Sequence, residues 1–253
     1  MTYELNKAEA KTIDEICNTG YMKPILEKLE ASINNNEFDW PKAFDHIYDI
    51  MINSKKEVEN KLNDKQLNPQ NYDIKQAMKS VAGNAFSRLI VYIFLKNKSI
   101  GKIKRGVFIT SKQSEVNDFS SVTNISVNGQ TQKLDADLII YSLDAKKSLT
   151  NCAIVSLKTS LRERAAQTVK WKLLMEIAQG CTELKEKYKI EYSPIFKPLI
   201  WFVTVNFYNE INNPQQKGLL EFFDDVFIAK EVDKSSVKPL SKIINCVNKW
   251  RLT

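Results

Sequence analysis

Apolar positions recur every three or four residues through roughly the first hundred positions, then fall into alternating or unbroken runs. The first pattern is that of amphipathic helices, the second that of strands. Residues 5–33 read as helical, with a break near Thr19-Gly20. Over 39–62, Phe44, Ile47, Tyr48, Met51 and Ile52 give the i, i+3, i+4 spacing of one helix, and the polar stretch 63–73, rich in Asn, Asp and Gln with one Pro, gives a loop. A long helix follows over 74–98, apolar at Met78, Val81, Ala82, Ala85, Phe86, Leu89, Ile90 and Ile93; Gly83 within it marks a weak point or a close packing contact. Residues 105–110 form a short strand, and Asn128-Gly129 between two extended runs predicts a hairpin over 121–143. The continuous apolar run 151–158 predicts a strand buried on both faces. Then come a helix over 162–188, a buried strand over 198–207, a helix over 214–223, a strand over 225–229 and a closing helix over 237–250. This order predicts a mixed α/β sheet flanked by helices, in one domain over 1–253, with a helical N-terminal subdomain (1–65) and an α/β core (74–250).

With 253 residues the chain can bury a core without disulfides or structural metal. Cys17, Cys152, Cys181 and Cys246 are scattered, with no CxxC pair, and read as reduced, mostly buried thiols. The charged start has no apolar stretch of signal-peptide length, and no run approaches the ~20 apolar residues of a membrane helix, so a cytoplasmic protein without membrane partners is expected. The net charge of +7 suits an anionic partner, nucleic acid first. His46 is the single histidine, read as a surface or half-buried helix residue; imidazole-based metal sites and nucleophilic schemes are nearly excluded. Catalysis would fall to carboxylates, lysine and a divalent metal.

Asp135 and Asp137 begin the run DADLIIYSL and by period-two alternation share a face; Ser156 and Lys158 share a face at the end of the next strand. If these strands pair as a meander, Asp137 and Lys158 meet at one end of the sheet. A carboxylate there can hold a hard divalent cation, and the lysine can orient water and offset charge on a phosphoryl group. The alternative is a pair of ordinary register and solubility devices at strand ends. Arg162, Glu163 and Arg164 stand where a helix begins, and cations oppose the dipole at that end. Arginine can read guanine O6 and N7 bidentately and glutamate can accept from cytosine N4, so the cluster suits G·C readout; a surface ion-pair cluster is the alternative. Gln167, Thr168 and Lys170 extend that helix face as base or phosphate contacts or as a solvated surface, and Trp171 reads as core. Lys102, Lys104 and Arg105 form a basic cluster that can touch phosphates or serve as an ordinary charged loop.

The run Lys158-Thr159-Ser160-Leu161-Arg162-Glu163-Arg164, after DADLIIYSL and AIVS, resembles the active-site hairpin and recognition helix of type II restriction endonucleases of the PD-(D/E)XK fold. It is similar in particular to the branch containing EcoRII, PspGI, SsoII and BsaWI, where a small residue such as Ser156 often replaces the acid before x-Lys. VAGNAFSRLIVYIF (81–94) is similar to the helix preceding their catalytic strands. The resemblance implies a restriction-endonuclease-like fold, Mg²⁺ as cofactor and double-stranded DNA as substrate. It implies Asp137 as the metal-binding carboxylate, Lys158 as the catalytic lysine, and Arg162, Glu163 and Arg164 as base readers, with Gln167 beside them. The sequence departs from the branch at two acids: Ser87 stands in place of a helix glutamate, and Lys170, Trp171 and Lys172 occupy the zone of the second acid. The second metal ligand is left among Glu176, Glu163, Asp135 and a backbone carbonyl, or is absent. The expected activity is sequence-specific double-strand cleavage at a short palindromic G/C-containing site by a homodimer, in a restriction-modification system with a cognate DNA methyltransferase. The rival expectations are a DNA-binding protein that does not cut and a structure-specific repair nuclease of the same fold.

Overall fold

The computed structural model describes residues 2–63, 74–160, 164–207, 210–231 and 237–251; apart from Asn63, the expected loop over 63–73 lies outside them. In chain order the elements are α1 (Lys7–Cys17), α2 (Met22–Asn34), α3 (Ile47–Asn53), α4 (Lys55–Asn63), α5 (Ile74–Ser99), β1 (Val107–Thr110), α6 (Phe119–Thr123), β2 (Ile125–Val127), β3 (Gln130–Gln132), β4 (Leu138–Leu143) and β5 (Leu149–Lys158). They continue with α7 (Arg164–Gly180), α8 (Thr182–Tyr188), β6 (Ile190–Glu191), β7 (Leu199–Thr204), α9 (Pro214–Leu220), β8 (Asp225–Ile228), β9 (Lys238–Pro239) and α10 (Ile243–Asn248). The chain packs as two compact units: Met1–Arg105 with Ile228–Lys249, and Gly106–Phe227 with Trp250–Thr253. The long helix α5, assigned above to the α/β core, packs against α1, α3 and α4 of the first unit.

In the first unit, α1 opens on a capping box. The Asn6 side chain accepts from the Glu9 amide at 2.9 Å, and the Glu9 carboxylate accepts from the Asn6 amide at 3.0 Å. The same carboxylate meets Lys98 Nζ near the end of α5, 2.5 Å away, both side chains almost wholly buried. Burial holds the Lys98 ammonium below its ordinary pKa, while Glu9 pulls the other way. The single helix expected over 39–62 is instead a 3-10 turn (Lys42–His46), α3 and α4. Buried Ser54 separates α3 from α4: its hydroxyl donates to the Ile50 carbonyl at 2.6 Å, a bond that competes with straight helical geometry. His46 is partly buried and stacks on Phe38 with ring centroids 4.2 Å apart. Of the four cysteines only Cys152 is buried, whereas Cys17 is exposed, so the expectation of mostly buried thiols does not hold.

The second unit is built on a mixed sheet in which the strands run β1-β4-β5-β7-β8. β5 is central, antiparallel to β4 and parallel to β7. Its apolar run is buried on both faces, as its unbroken hydrophobicity requires, and the parallel partner is reached through the crossover helices α7 and α8. This is the mixed α/β class expected. Burial pushes the Cys152 thiol on β5 up to about 12. Trp201 on β7 packs edge-on to Phe227 at 5.5 Å and near Trp250 at 6.2 Å.

The hairpin over 121–143 is only half as expected. Asn128 and Gly129, both in left-handed conformations (φ 49° and 76°), turn the chain between β2 and β3. The second arm then leaves: Gln130-Thr131-Gln132 offers no apolar face, so β3 stays in a small outer sheet ordered β3-β2-β6, and β4 starts afresh in the main sheet. The helix expected over 162–188 also breaks, at Cys181 between α7 and α8.

Removing one partner from a buried ion pair leaves the other charge stranded. Glu9→Ala is therefore expected to lower the unfolding free energy by about 3–5 kcal/mol, read from urea denaturation.

Candidate active site

β4 and β5 pair antiparallel with Leu138 opposite Val155. Continuing that register by one sets Asp137 opposite Ser156, two residues before the end of β5. The Asp137 Oδ2 atom accepts from the Leu157 amide at 2.7 Å and from Lys158 Nζ at 2.8 Å. One carboxylate oxygen thus takes a backbone bond that fixes its place and an ammonium that shares its charge, leaving Oδ1 without a hydrogen-bond partner among the described residues. The Asp137 side chain is 35% exposed and that of Lys158 17%, so the pair is reachable from solvent.

Asp137, Lys158, Asp135, Ser156, Gln167, Thr168 and Trp171 line one cavity of about 20 Å³. That is room for a single water or a small ion. Its floor is the end of the β4–β5 pair, and α7 supplies the other wall. Ser156 Oγ and Thr168 Oγ1 lie 2.9 Å apart, both buried, and tie the strand carrying Lys158 to the helix. Gln167 and Trp171, four residues apart on α7, present one face to the cavity. Trp171 is therefore a wall of the site and not the core residue its pattern suggests.

Glu176 is not brought to this group. It lies two turns beyond Thr168, about 12 Å along the helix axis, and pairs instead with Lys172 at 3.3 Å and Lys197 at 3.8 Å. Arg162 and Glu163 lie outside the described residues, as does the Arg164 side chain, whose backbone opens α7. Lys102 lines a separate groove of about 330 Å³ in the first unit, together with Phe38 and Trp40.

No cluster of three or more His, Cys, Asp or Glu side chains suited to a metal is found among the described residues. The donors present are nonetheless of the right kind for Mg²⁺. That ion takes oxygen ligands, keeps several waters and is commonly held by one or two carboxylates plus substrate phosphate. Asp137 and Asp135 on one small cavity meet that requirement.

A family model described as BsaWI restriction endonuclease type 2 matches residues 100–252. The chain belongs to that family. The likeness to the branch containing BsaWI, first seen in the Lys158–Arg164 run, is thereby confirmed, and site-specific cleavage of DNA by a type II deoxyribonuclease is the activity that membership in the BsaWI family carries. A solved structure, the specific restriction endonuclease AgeI in complex with DNA, aligns over 95% of this chain and 86% of its own at 12% identity, with a TM-score of 0.40. No curated protein matches the chain. No helix among the described residues is long and apolar enough to cross a membrane.

Thr168→Val keeps the shape of the side chain but strips Ser156 Oγ of its partner in a buried place. The change is expected to cost about 1–3 kcal/mol of stability by chemical denaturation.

Proposed function

We propose that the Asp137–Lys158 cluster is the phosphodiester-hydrolysing centre of this enzyme, acting on double-stranded DNA with Mg²⁺ held by Asp137 and Asp135. The 2.8 Å contact between Asp137 and Lys158, in a cavity shared with Asp135, carries this reading. Ser156, opposite Asp137, leaves the wall polar and uncharged where a third acid would compete for the lysine. With Glu176 engaged elsewhere, Asp135 is the second carboxylate of the site.

The residues divide the work. The Leu157 amide locks Asp137 Oδ2 in place and leaves Oδ1 as the oxygen that would take the cation. Lys158 contributes a compact positive charge with three donors. One is given to Asp137, and the others remain to orient an attacking water and to meet the charge that builds on the phosphoryl oxygens. When bound, Mg²⁺ supplies Lewis-acid stabilisation of the phosphoryl group and a more acidic water. Arg162, Glu163, Arg164 and Gln167, at the entry to α7, read base edges beside the cut; two arginines and a glutamate favour a short palindromic site containing G·C pairs. A two-fold homodimer then sets one α7 on each half-site, and a DNA methyltransferase of matching specificity is the expected companion.

Incubation with phage DNA and Mg²⁺ is expected to give discrete fragments. Lys158→Ala should abolish cutting while leaving DNA affinity nearly unchanged. Cutting by the alanine variant at the parent rate would reject the assignment, and binding without cutting by the parent protein under all divalent metals would reject Mg²⁺-dependent hydrolysis. Asp135→Asn is expected to raise the Mg²⁺ concentration needed for half-maximal cleavage roughly 10–100-fold, measured by metal titration. Arg162→Ala or Arg164→Ala should cost about 1–3 kcal/mol of discrimination at one base pair; equal weakening on all sequences would show phosphate contact instead.

A further inference from the structure

The Lys172 side chain is only 3% exposed, yet its Nζ meets two carboxylates. Its Nζ donates to Asp224 Oδ1 at 2.6 Å, and Glu176 Oε1 lies 3.3 Å away. Asp224 is itself fixed: its Oδ2 accepts from the Ile200 amide at 2.7 Å, and its own amide donates to the Ile200 carbonyl at 3.0 Å. The ammonium of α7 is thus bonded to a carboxylate that is bolted to the start of β7. One turn nearer the helix N-terminus, Thr168 is bonded to Ser156 of β5. Thr168 and Lys172, four apart, form the stripe of α7 tied to the sheet, Thr168 also touching the cavity. Gln167 and Trp171, also four apart and each one residue earlier, form the cavity-facing stripe.

The burial of Ala165, Val169, Met175 and Ala178 on α7 supplies a non-directional attraction. The ion pair is directional: a slip of one residue turns the helix by about 100° and leaves an ammonium unpaired in a nearly dry place. We propose that Lys172 and Asp224 are positioning residues that fix the register of α7 on the sheet and thereby hold Gln167 and Trp171 at the rim of the Asp137–Lys158 cavity. This assignment rests on that cavity being the catalytic centre. Lys172 and Asp224 do not line the cavity; their effect on cleavage passes through the helix.

The test compares Lys172→Met, which keeps the length and loses the charge, with the double variant Lys172→Met/Asp224→Asn, in which the asparagine oxygen still accepts from the Ile200 amide. Three readouts are taken on the full chain: the thermal melt, the DNA dissociation constant without metal, and the single-turnover cleavage rate with Mg²⁺ at saturating DNA. The expected result in both variants is a cooperative melt, DNA affinity within about threefold of the parent and a cleavage rate lower by at least about tenfold. The double variant should regain the thermal stability lost in the single one without regaining the rate, which a purely structural role would not produce. A smaller loss of rate in a folded variant, a rate restored along with stability, or a loss seen in affinity instead of rate overturns the proposal. If the single variant does not fold, the double variant is read in its place, and failure of both to fold also overturns it. Cleavage by Lys158→Ala would sink the site assignment itself; parent-like cleavage by Lys172→Met beside an inactive Lys158→Ala sinks only this inference.

Discussion

One carboxylate oxygen, Asp137 Oδ2, receives two donors that adjoin each other on the neighbouring strand, the Leu157 amide and the Lys158 ammonium. Everything else at the site follows from that constraint. The Leu157 amide donates to the Asp137 side chain just past the last paired residues of β4 and β5, so a backbone donor places the acid. Among the described residues the Lys158 ammonium pairs with one carboxylate, that of Asp137. A partly exposed ion pair adds little to stability. Under the function proposed above, it pre-arranges the charges that a transition state requires, in a cavity too small to admit bulk water.

The helix opposite is held by bonds of a different sort. Thr168 reaches β5 through a hydroxyl pair and Lys172 reaches β7 through Asp224, so α7 is fastened to two strands that are themselves paired in parallel register. Polar fastening of this kind contributes less than apolar packing but discriminates more sharply between registers. This fastening sets the angle between α7 and the end of β5. The run from Lys158 at the end of β5 to Arg164 at the start of α7 lies within the residues that the BsaWI family model matches.

Much of this was legible in the residues. The unbroken apolar run of β5 announced a buried strand ending on Lys158, and antiparallel pairing of its predecessor was enough to bring Asp137 alongside. Asp135 shared the face of Asp137 by alternation and does line the cavity. What pattern could not supply was the azimuth of α7. Trp171 reads as core because an indole on a mostly apolar helix face looks the same whether it turns toward a sheet or a cavity. Nothing near Lys172 in the chain announces its ion pair with Asp224, which lies 52 residues further on in an unrelated connection. Glu176 was within sequence range of the site but not within spatial range, since eight helical residues carry it two turns up the axis. The split of the 39–62 helix at Ser54, and of the 121–143 hairpin after Gln132, likewise came from a hydroxyl bond and a polar arm that periodicity does not weigh.

Cys152 sits in the middle of β5, under the same strand that presents Ser156 and Lys158. With its thiol pushed up to about 12, almost none of it is thiolate near neutral pH, and it is shielded from reagents as well. The exposed Cys17 differs in reach, although partial burial pushes its thiol up as well. Alkylation at position 152 therefore needs a local opening that uncovers the central strand, and its rate would time the opening of the strand on which Ser156 and Lys158 also stand.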